Sequence, residues 1–173
     1  MTSSNITLIG MPGSGKSTLG RRLAKLRGMS FVDTDLILEQ VENMPIQDIV
    51  NRRGVAYLRF LEGVVLSQLD FENHVIATGG SAVYSQKAID HLGLLGARVY
   101  LKISLKTLTM RVNNVGSRGL AKMKSHPLPR LYAERTGLYE NAADIVASND
   151  RPMTAVSLSE LNAELDQFFA RRT

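Results

Sequence analysis

The sequence contains no cysteine, which excludes a disulfide framework and any thiolate metal site. A chain without cysteine suits a reducing cytoplasm. No stretch of about 18 apolar residues runs free of charge, so no segment is predicted to span a membrane. The N-terminal MTSSNITLIG lacks the basic start of a signal peptide, and Gly10 and Pro12 cut its apolar run short. We therefore expect a cytoplasmic protein with no membrane partner.

A basic tract is also missing, although the chain is basic overall. Its 21 Lys and Arg against 16 Asp and Glu give a net charge of +5 and a pI near 9.7. The positive residues are scattered through predicted helices and one loop, which carries Lys122 and Lys124, and they do not cluster with aromatic residues. This dispersion disfavours a nucleic-acid partner. Surplus arginine suits a protein that binds polyanionic nucleotides and an acidic substrate.

The 173 residues show no repeat, linker or low-complexity segment, so we predict a single domain over 1–173. Short apolar runs alternate with longer helical patterns, which predicts βα units around a parallel sheet. The predicted strands are 6–9, 30–32, 74–77, 98–102 and 144–147. The predicted helices are 16–27, 36–70 with breaks at 43–45 and near Gly54, and 153–170.

The segment 113–129 fits neither the helical nor the strand period. It combines two glycines and two prolines with the basic residues Arg118, Lys122 and Lys124. Loops of this length are uncommon in compact domains unless they are functional or disordered. In a nucleotide enzyme such a loop is typical of a mobile lid that closes over phosphates. Taken alone, it is more typical of a solvated surface loop.

Residues 10–17, GMPGSGKS, match the phosphate-binding pattern G-x-x-x-x-G-K-[ST] between a predicted strand and a predicted helix. The glycines leave room for backbone N–H groups to converge on phosphate oxygens, and the helix dipole adds to the attraction. Lys16 is expected to reach the β and γ phosphates, and Ser17 to bind Mg²⁺. The predicted nucleotide-binding residues of this loop are Gly13, Ser14, Gly15, Lys16, Ser17 and Thr18.

Asp33 and Asp35 follow the second predicted strand directly. Ligands of open α/β sheets bind at the carboxyl ends of the strands, so both carboxylates are expected near the phosphate loop. One of them could hold a water of Mg²⁺, and the other could orient a substrate hydroxyl or take its proton. Capping of the next helix is an alternative role for one aspartate and is compatible with these functions.

Three further features are weaker when each is taken alone. Arg59 and Glu62 lie three residues apart on a predicted helix and could form an ordinary surface ion pair. Gly79 and Gly80 follow the third strand and permit close approach of the backbone to a ligand. Arg135 could clamp a carboxylate or simply solvate a helix.

The order and spacing of these motifs resemble those of shikimate kinases, a family within the nucleoside-monophosphate-kinase-like P-loop enzymes. The resemblance extends from Ile6 to about Val156. It implies a three-layer α/β fold with a five-stranded parallel sheet in the order 2-3-1-4-5, helices on both faces, a substrate-binding helical region near 35–62 and a mobile lid near 113–129. It also implies ATP- and Mg²⁺-dependent phosphorylation of shikimate to shikimate 3-phosphate, an aromatic amino-acid precursor. We expect the chain to act as a monomer.

The resemblance assigns roles in phosphoryl transfer to individual residues. Asp33 corresponds to the aspartate that positions Mg²⁺ through water, beside Ser17. Arg118 corresponds to the lid arginine that touches the transferring phosphate. Arg111 corresponds to the arginine that packs on adenine, aided by the loop that contains Pro152.

The resemblance also assigns the acceptor site. Asp35 corresponds to the residue that binds the ring hydroxyls and acts as base, which makes Lys16, Asp35 and Arg118 the expected catalytic residues. Arg59 and Arg135 correspond to the pair that grips the substrate carboxylate, with Glu62 holding Arg59. Gly79 and Gly80 belong to the glycine motif whose backbone contacts the substrate.

The sequence departs from the family pattern around these polar residues. Val50 and Leu58 replace aromatic residues near the acceptor, Ser81 replaces the third glycine of a triplet, and Gly119 and Gly137 replace prolines. Side chains at such positions pack against the acceptor and affect which acceptor binds. The sequence therefore defines the reaction, phosphoryl transfer, more closely than it defines the identity of the acceptor.

Other functions therefore remain open: a related kinase for another hydroxy acid such as gluconate, or a nucleotide-binding regulatory paralogue with weak activity. A paralogue need not keep Lys16, Asp35, Arg59, Arg118 and Arg135 together, and all five are present. A nucleoside monophosphate acceptor is disfavoured because the aspartates would face its phosphate. An RNA-interacting ATPase is disfavoured by the lack of a basic stripe.

Overall fold

The computed structural model describes residues 4–114, 128–151 and 154–172. Within them, five strands form one parallel sheet in the order β2-β3-β1-β4-β5, as predicted. The strands are β1 (Asn5–Ile9), β2 (Ser30–Asp33), β3 (His74–Ala77), β4 (Gly96–Lys102) and β5 (Ile145–Ser148). The α-helices are α1 (Lys16–Arg27), α2 (Thr34–Glu42), α3 (Ile46–Leu66), α4 (Gln86–Leu95), α5 (Leu105–Asn114), α6 (Leu128–Ala142) and α7 (Ala155–Ala170), and a 3₁₀ helix spans Ala82–Tyr84.

The central strand β1 explains why the sheet is covered on both faces. All five of its residues are buried, and it pairs with β3 on one side and β4 on the other. Alternate strand residues point to opposite faces, so Ile76 packs in one hydrophobic cluster with α3 and α4, while Val75 packs in a second with α1 and α7. The three-layer architecture with helices on both faces is therefore confirmed.

Several boundaries differ from the predicted ones for local reasons. Helix α2 begins at Thr34, two residues early, because the carboxylate of Asp33 accepts a hydrogen bond from the amide of Asp35 (3.3 Å) and caps the helix. Gly54 adopts φ 83° inside α3, which confirms the predicted break there. Strand β4 begins at Gly96, also two residues earlier than predicted.

Helices α4, α5 and α6 were not predicted. Gly93 lies inside α4 and Gly137 inside α6, and glycine lowers helix propensity by about 1 kcal/mol relative to alanine. Pro129 is tolerated because it lies in the first turn of α6. The ends of the predicted lid, 113–114 and 128–129, are thus helical, and the rest of that segment lies outside the described residues.

The strand order places three chemical segments side by side. Strand β2 ends at Asp33, β3 is followed by the 78–81 segment, and β1 is followed by the phosphate loop. All three lie at the carboxyl ends of neighbouring parallel strands, on the same side of the sheet. No helix in the described parts of the chain is long and apolar enough to cross a membrane.

Candidate active site

The phosphate loop takes a conformation that depends on glycine. Gly13 and Gly15 have φ of 80° and 98°, values that residues with a Cβ atom seldom adopt. Lys16, only 8% exposed, folds its Nζ back to donate to the carbonyls of Gly10 and Met11, each at 2.9 Å. The ammonium group is thereby held over the loop, at the place where the phosphates of a nucleotide would bind.

The loop is also fixed from behind by two side chains. The carbonyl of Ser14 accepts hydrogen bonds from Asn149 Nδ2 at 2.7 Å and from Arg111 Nη1 at 3.2 Å. A Cβ atom at Gly15 would lie 2.7 Å from Asn149 Nδ2, so this position has no room for a side chain. The structure places Arg111 against the phosphate-loop backbone and makes Asn149 a loop anchor. Asn149 lies in the loop that contains Pro152, to which the resemblance assigned a part in adenine binding, and its position after β5, at the same end of the sheet as the phosphate loop, is the sequence signal for this contact.

Ser17 and Asp33 form the pair expected to hold a metal ion. The hydroxyl of Ser17 donates to Asp33 Oδ2 at 2.6 Å. A hydroxyl and a carboxylate are hard oxygen ligands of the kind that Mg²⁺ takes, with waters and nucleotide phosphates completing its octahedron. Among the described residues, no group of three or more His, Asp or Glu side chains could hold a metal by itself. The donor set fits Mg²⁺ bound together with a nucleotide.

Asp35 faces the cavity. Solvent in the cavity reaches its side chain, but protein atoms crowd around it, and this burial together with the Asp33 charge raises its pKa, while Lys16 lowers it. Its Oδ1 would lie 3.0 Å from a Cβ atom at Gly79. The missing side chain at Gly79 therefore keeps the space beside the carboxylate open.

One cavity of about 390 Å³ joins most of the predicted site. Its walls come from the phosphate loop, the end of β2, helices α2 and α3, the 78–81 segment and α6. The predicted site residues on its wall are Gly13, Gly15, Lys16, Ser17, Thr18, Asp33, Asp35, Gly79, Gly80 and Arg135.

Arg135 is buried at the cavity wall with 2% of its surface exposed. Its Nε donates to the hydroxyl of Tyr84 at 3.1 Å, and Tyr139 lies beside it and donates to the carbonyl of Gly80 at 2.6 Å. A Cβ atom at Gly80 would lie 2.6 Å from Pro12 and 3.0 Å from Arg135 Nη1, so the close approach of the guanidinium to this backbone requires glycine. None of the ion pairs among the described residues includes Arg135.

Arg59 is not brought to the cavity wall. It lines a separate groove with Tyr84 and Lys87, and its guanidinium stacks on the Tyr84 ring at 4.0 Å. The expected pairing with Glu62 is not formed, since none of the ion pairs in the described ranges joins the two side chains. Although the two residues share a helix, Glu62 lines the cavity and Arg59 lines the groove.

Glu62 is a carboxyl group with 2% exposure. Burial, followed by the charge of Asp35, raises its pKa to about 7, although the neighbouring Ser81 hydroxyl and the charges of Arg135 and Lys16 oppose the shift. A carboxyl group that is about half protonated at neutral pH therefore lies close to both Asp35 and the buried arginine.

This shift makes the stability of the protein depend on pH. The folded state keeps a proton on Glu62 that the unfolded chain releases above its ordinary pKa of 4.5, so the folded form is favoured at low pH and loses this advantage as pH rises to about 7. Relative to Glu62→Gln, the wild-type free energy of unfolding is expected to fall by up to about 1.4 kcal/mol per pH unit across that window.

Urea unfolding of both proteins between about pH 5 and 8 measures the difference. Glu160→Gln, at an exposed position on α7, controls for loss of a carboxylate in general. Parallel pH profiles for wild type and Glu62→Gln would mean that Glu62 is ionised in the folded protein throughout.

Comparisons with known proteins agree with this geometry. The family model for shikimate kinase matches residues 12–166. A shikimate kinase from Clostridium botulinum (strain 657 / Type Ba4) is 35% identical over 158 residues, which cover 89% of this chain and 93% of the relative.

The chain belongs to the shikimate kinase family.

Solved structures of family members share its fold. Shikimate kinase from Acinetobacter baumannii in complex with shikimate superposes with a TM-score of 0.79 at 28% identity and covers 99% of this chain and 96% of its own. The enzyme from Aquifex aeolicus gives 0.77 at 30% identity, covering 94% and 96%. As predicted, the protein is an ATP-dependent kinase, a transferase.

The departures from the family pattern now have locations. Val50, Leu58 and Ser81 line the cavity, and Ser81 places a hydroxyl next to Glu62. Gly137 lies in α6 with open space where a Cβ atom would be. Arg118 and Pro152, two predicted nucleotide-binding residues, lie outside the described residues, as does Gly119.

Proposed function

We propose that the protein transfers the γ-phosphoryl group of ATP to a hydroxyl of shikimate, giving shikimate 3-phosphate. The observation that carries the proposal is Arg135, a buried arginine at the wall of a cavity that also contains Asp35 and Lys16. Membership in the family and the similarity to a relative crystallised with shikimate support the same acceptor.

The charges of the cavity match a hydroxy acid. A buried guanidinium without an ion-pair partner in the described ranges is costly unless an anion binds it, and a carboxylate meets its geometry with two parallel hydrogen bonds. Asp35, on the same wall, can accept a hydrogen bond from a hydroxyl but repels a second anion. An acceptor with a carboxylate at one end and hydroxyls at the other therefore fits.

The nucleotide side of the reaction rests on the phosphate loop. Its backbone amides and the N-terminus of α1 would hold the phosphates, and Lys16 would move from its two carbonyl partners to their oxygens. Burial lowers the pKa of Lys16 to about 8, against the opposing effect of Asp35, Glu62 and Asp33. Bound phosphates would favour the protonated form that catalysis needs.

Ser17 and Asp33 would hold Mg²⁺, Ser17 directly and Asp33 through water. When bound, the ion neutralises charge on the β and γ phosphates during transfer. The 2.6 Å hydrogen bond between the two side chains keeps them at the place where the phosphates would enter.

Asp35 would take the proton of the attacking hydroxyl. As the new oxygen–phosphorus bond forms, the bond between the γ-phosphorus and its bridging oxygen breaks, ADP leaves, and the proton passes to the carboxylate. Positioning and charge neutralisation supply most of the catalysis in such reactions.

Release of ADP measured with MgATP and a panel of acceptors tests the function. The panel contains shikimate, quinate, gluconate and nucleoside monophosphates. Turnover of shikimate with the highest kcat/KM is the expected result. Turnover of gluconate in preference to shikimate would identify the related hydroxy-acid kinase instead, and binding of ATP without turnover of any acceptor would identify the regulatory paralogue.

A further inference from the structure

Tyr84 lies between the two arginines that the sequence assigned to the acceptor carboxylate. It ends the 3₁₀ helix that follows the glycine segment. Its ring stacks against the guanidinium of Arg59 at 4.0 Å, and its hydroxyl accepts a hydrogen bond from Nε of Arg135 at 3.1 Å. The same hydroxyl donates its proton to Oε1 of Glu134.

The two hydrogen bonds of the Tyr84 hydroxyl fix its orientation. Because its proton is directed toward Glu134, its lone pairs face Arg135 and bind the Nε edge of the guanidinium. Because a guanidinium group is planar, a hydrogen bond at its Nε edge also fixes the orientation of its remaining N–H donors. One of these, Nη1, lies beside Gly80 on the cavity wall.

We propose that Tyr84 is a positioning residue for the acceptor: its hydroxyl, oriented by Glu134, holds the guanidinium of Arg135 in the plane that receives the substrate carboxylate. This inference rests on the proposed function, since it assigns the acceptor to Arg135. The ring of Tyr84 contacts both guanidinium groups, with Arg59 Cζ at 4.0 Å and Arg135 Cζ at 5.2 Å from its centroid. Tyr84→Phe keeps the ring and removes only the hydroxyl, so the contribution of the hydroxyl can be measured by itself.

Tyr84→Phe removes the hydroxyl and keeps the ring on Arg59. The KM for shikimate is expected to rise about tenfold, while kcat and the KM for MgATP change less than about twofold, because a hydrogen bond to a charged group is lost at the acceptor end only. The melting temperature reports whether the fold is intact.

Tyr57→Phe is a matched control. The hydroxyl of Tyr57 also bonds to an arginine and a glutamate, Arg53 and Glu42, and Arg53 lies over its ring at 4.8 Å. The predicted substrate-binding region 35–62 contains Tyr57, but none of these three residues lines the cavity, so the structure places the cluster outside the site. The kinetic constants of Tyr57→Phe are expected to stay within about twofold of the wild type.

A double-mutant cycle tests whether Tyr84 acts through Arg135. Lysine has no Nε–H edge, so Tyr84→Phe is expected to raise the shikimate KM less than about twofold when Arg135→Lys is already present. An equal increase in both backgrounds, an unchanged KM in Tyr84→Phe alone, or a parallel rise in the KM for MgATP would each overturn the inference.

The acceptor panel keeps this test distinct from the test of function. If the wild type phosphorylates another hydroxy acid and not shikimate, the proposed function is wrong, and the Tyr84 comparison is made with that acid. If the wild type phosphorylates shikimate and Tyr84→Phe does so with an unchanged KM, only the inference about Tyr84 is wrong. If no acceptor is phosphorylated, both are wrong.

Discussion

Replacement of Asp35 by asparagine is expected to lower kcat by about 10²- to 10⁴-fold, the usual contribution of a general base. Asparagine keeps the shape of the side chain but cannot take the proton of the attacking hydroxyl. The KM for MgATP is expected to change less than about twofold, because the proposal assigns nucleotide binding to the phosphate loop and the Ser17–Asp33 pair. Steady-state kinetics with shikimate and MgATP measure both quantities.

The pH dependence of the rate identifies the role of Asp35 more sharply. Burial and Asp33 raise the pKa of Asp35, so its active, unprotonated form is lost at a higher pH than for an ordinary aspartate. Wild-type kcat/KM should therefore decline as pH falls, and this acid limb should be absent in Asp35→Asn. Asp90→Asn, at an exposed position on α4, controls for the replacement of an aspartate by asparagine outside the cavity. A rate for Asp35→Asn within a few-fold of wild type would exclude Asp35 as the base.

The phosphate loop could be predicted from the sequence because its requirements are those of the backbone. Glycine adopts the positive φ of Gly13 and Gly15 without steric cost, and Lys16 and Ser17 follow at fixed spacing at the start of α1. The neighbourhood of Asp33 followed from the sheet order, since parallel strands end at one edge. Residues whose position is set by backbone geometry leave a pattern along the chain.

The direction of side chains at the acceptor site left no such pattern. Spacing along α3 predicted a contact between Arg59 and Glu62, but Arg59 instead stacks on Tyr84, 25 residues further along the chain, and Glu62 faces the cavity. Asn149 reaches Ser14 across 135 residues of sequence. Such contacts depend on tertiary packing, which single-sequence patterns do not encode.

Replacement of Arg135 by alanine is expected to raise the KM for shikimate about 100-fold, because truncating one partner of a buried charged pair costs about 2–5 kcal/mol. The KM for MgATP should change far less, since Arg135 lies beside Gly80, at the end of the cavity that we propose binds the acceptor. Arg135→Met keeps the aliphatic stem in the core and guards against loss of folding. Arg130→Ala, an exposed position on the same helix, is the matched control.

A neutral acceptor separates recognition of the carboxylate from packing around Arg135. If the guanidinium pairs with the carboxylate, the wild-type KM for shikimate methyl ester should exceed that for shikimate by about the factor by which Arg135→Met raises the KM for shikimate. Arg135→Met itself should have similar KM values for the acid and the ester. Packing alone would raise the KM for both acceptors equally. Equal increases in the KM for acid and ester would therefore contradict a carboxylate-binding role for Arg135, and so would equal increases in the KM for MgATP and for shikimate. The buried guanidinium would then be a structural group held by Tyr84 and Tyr139.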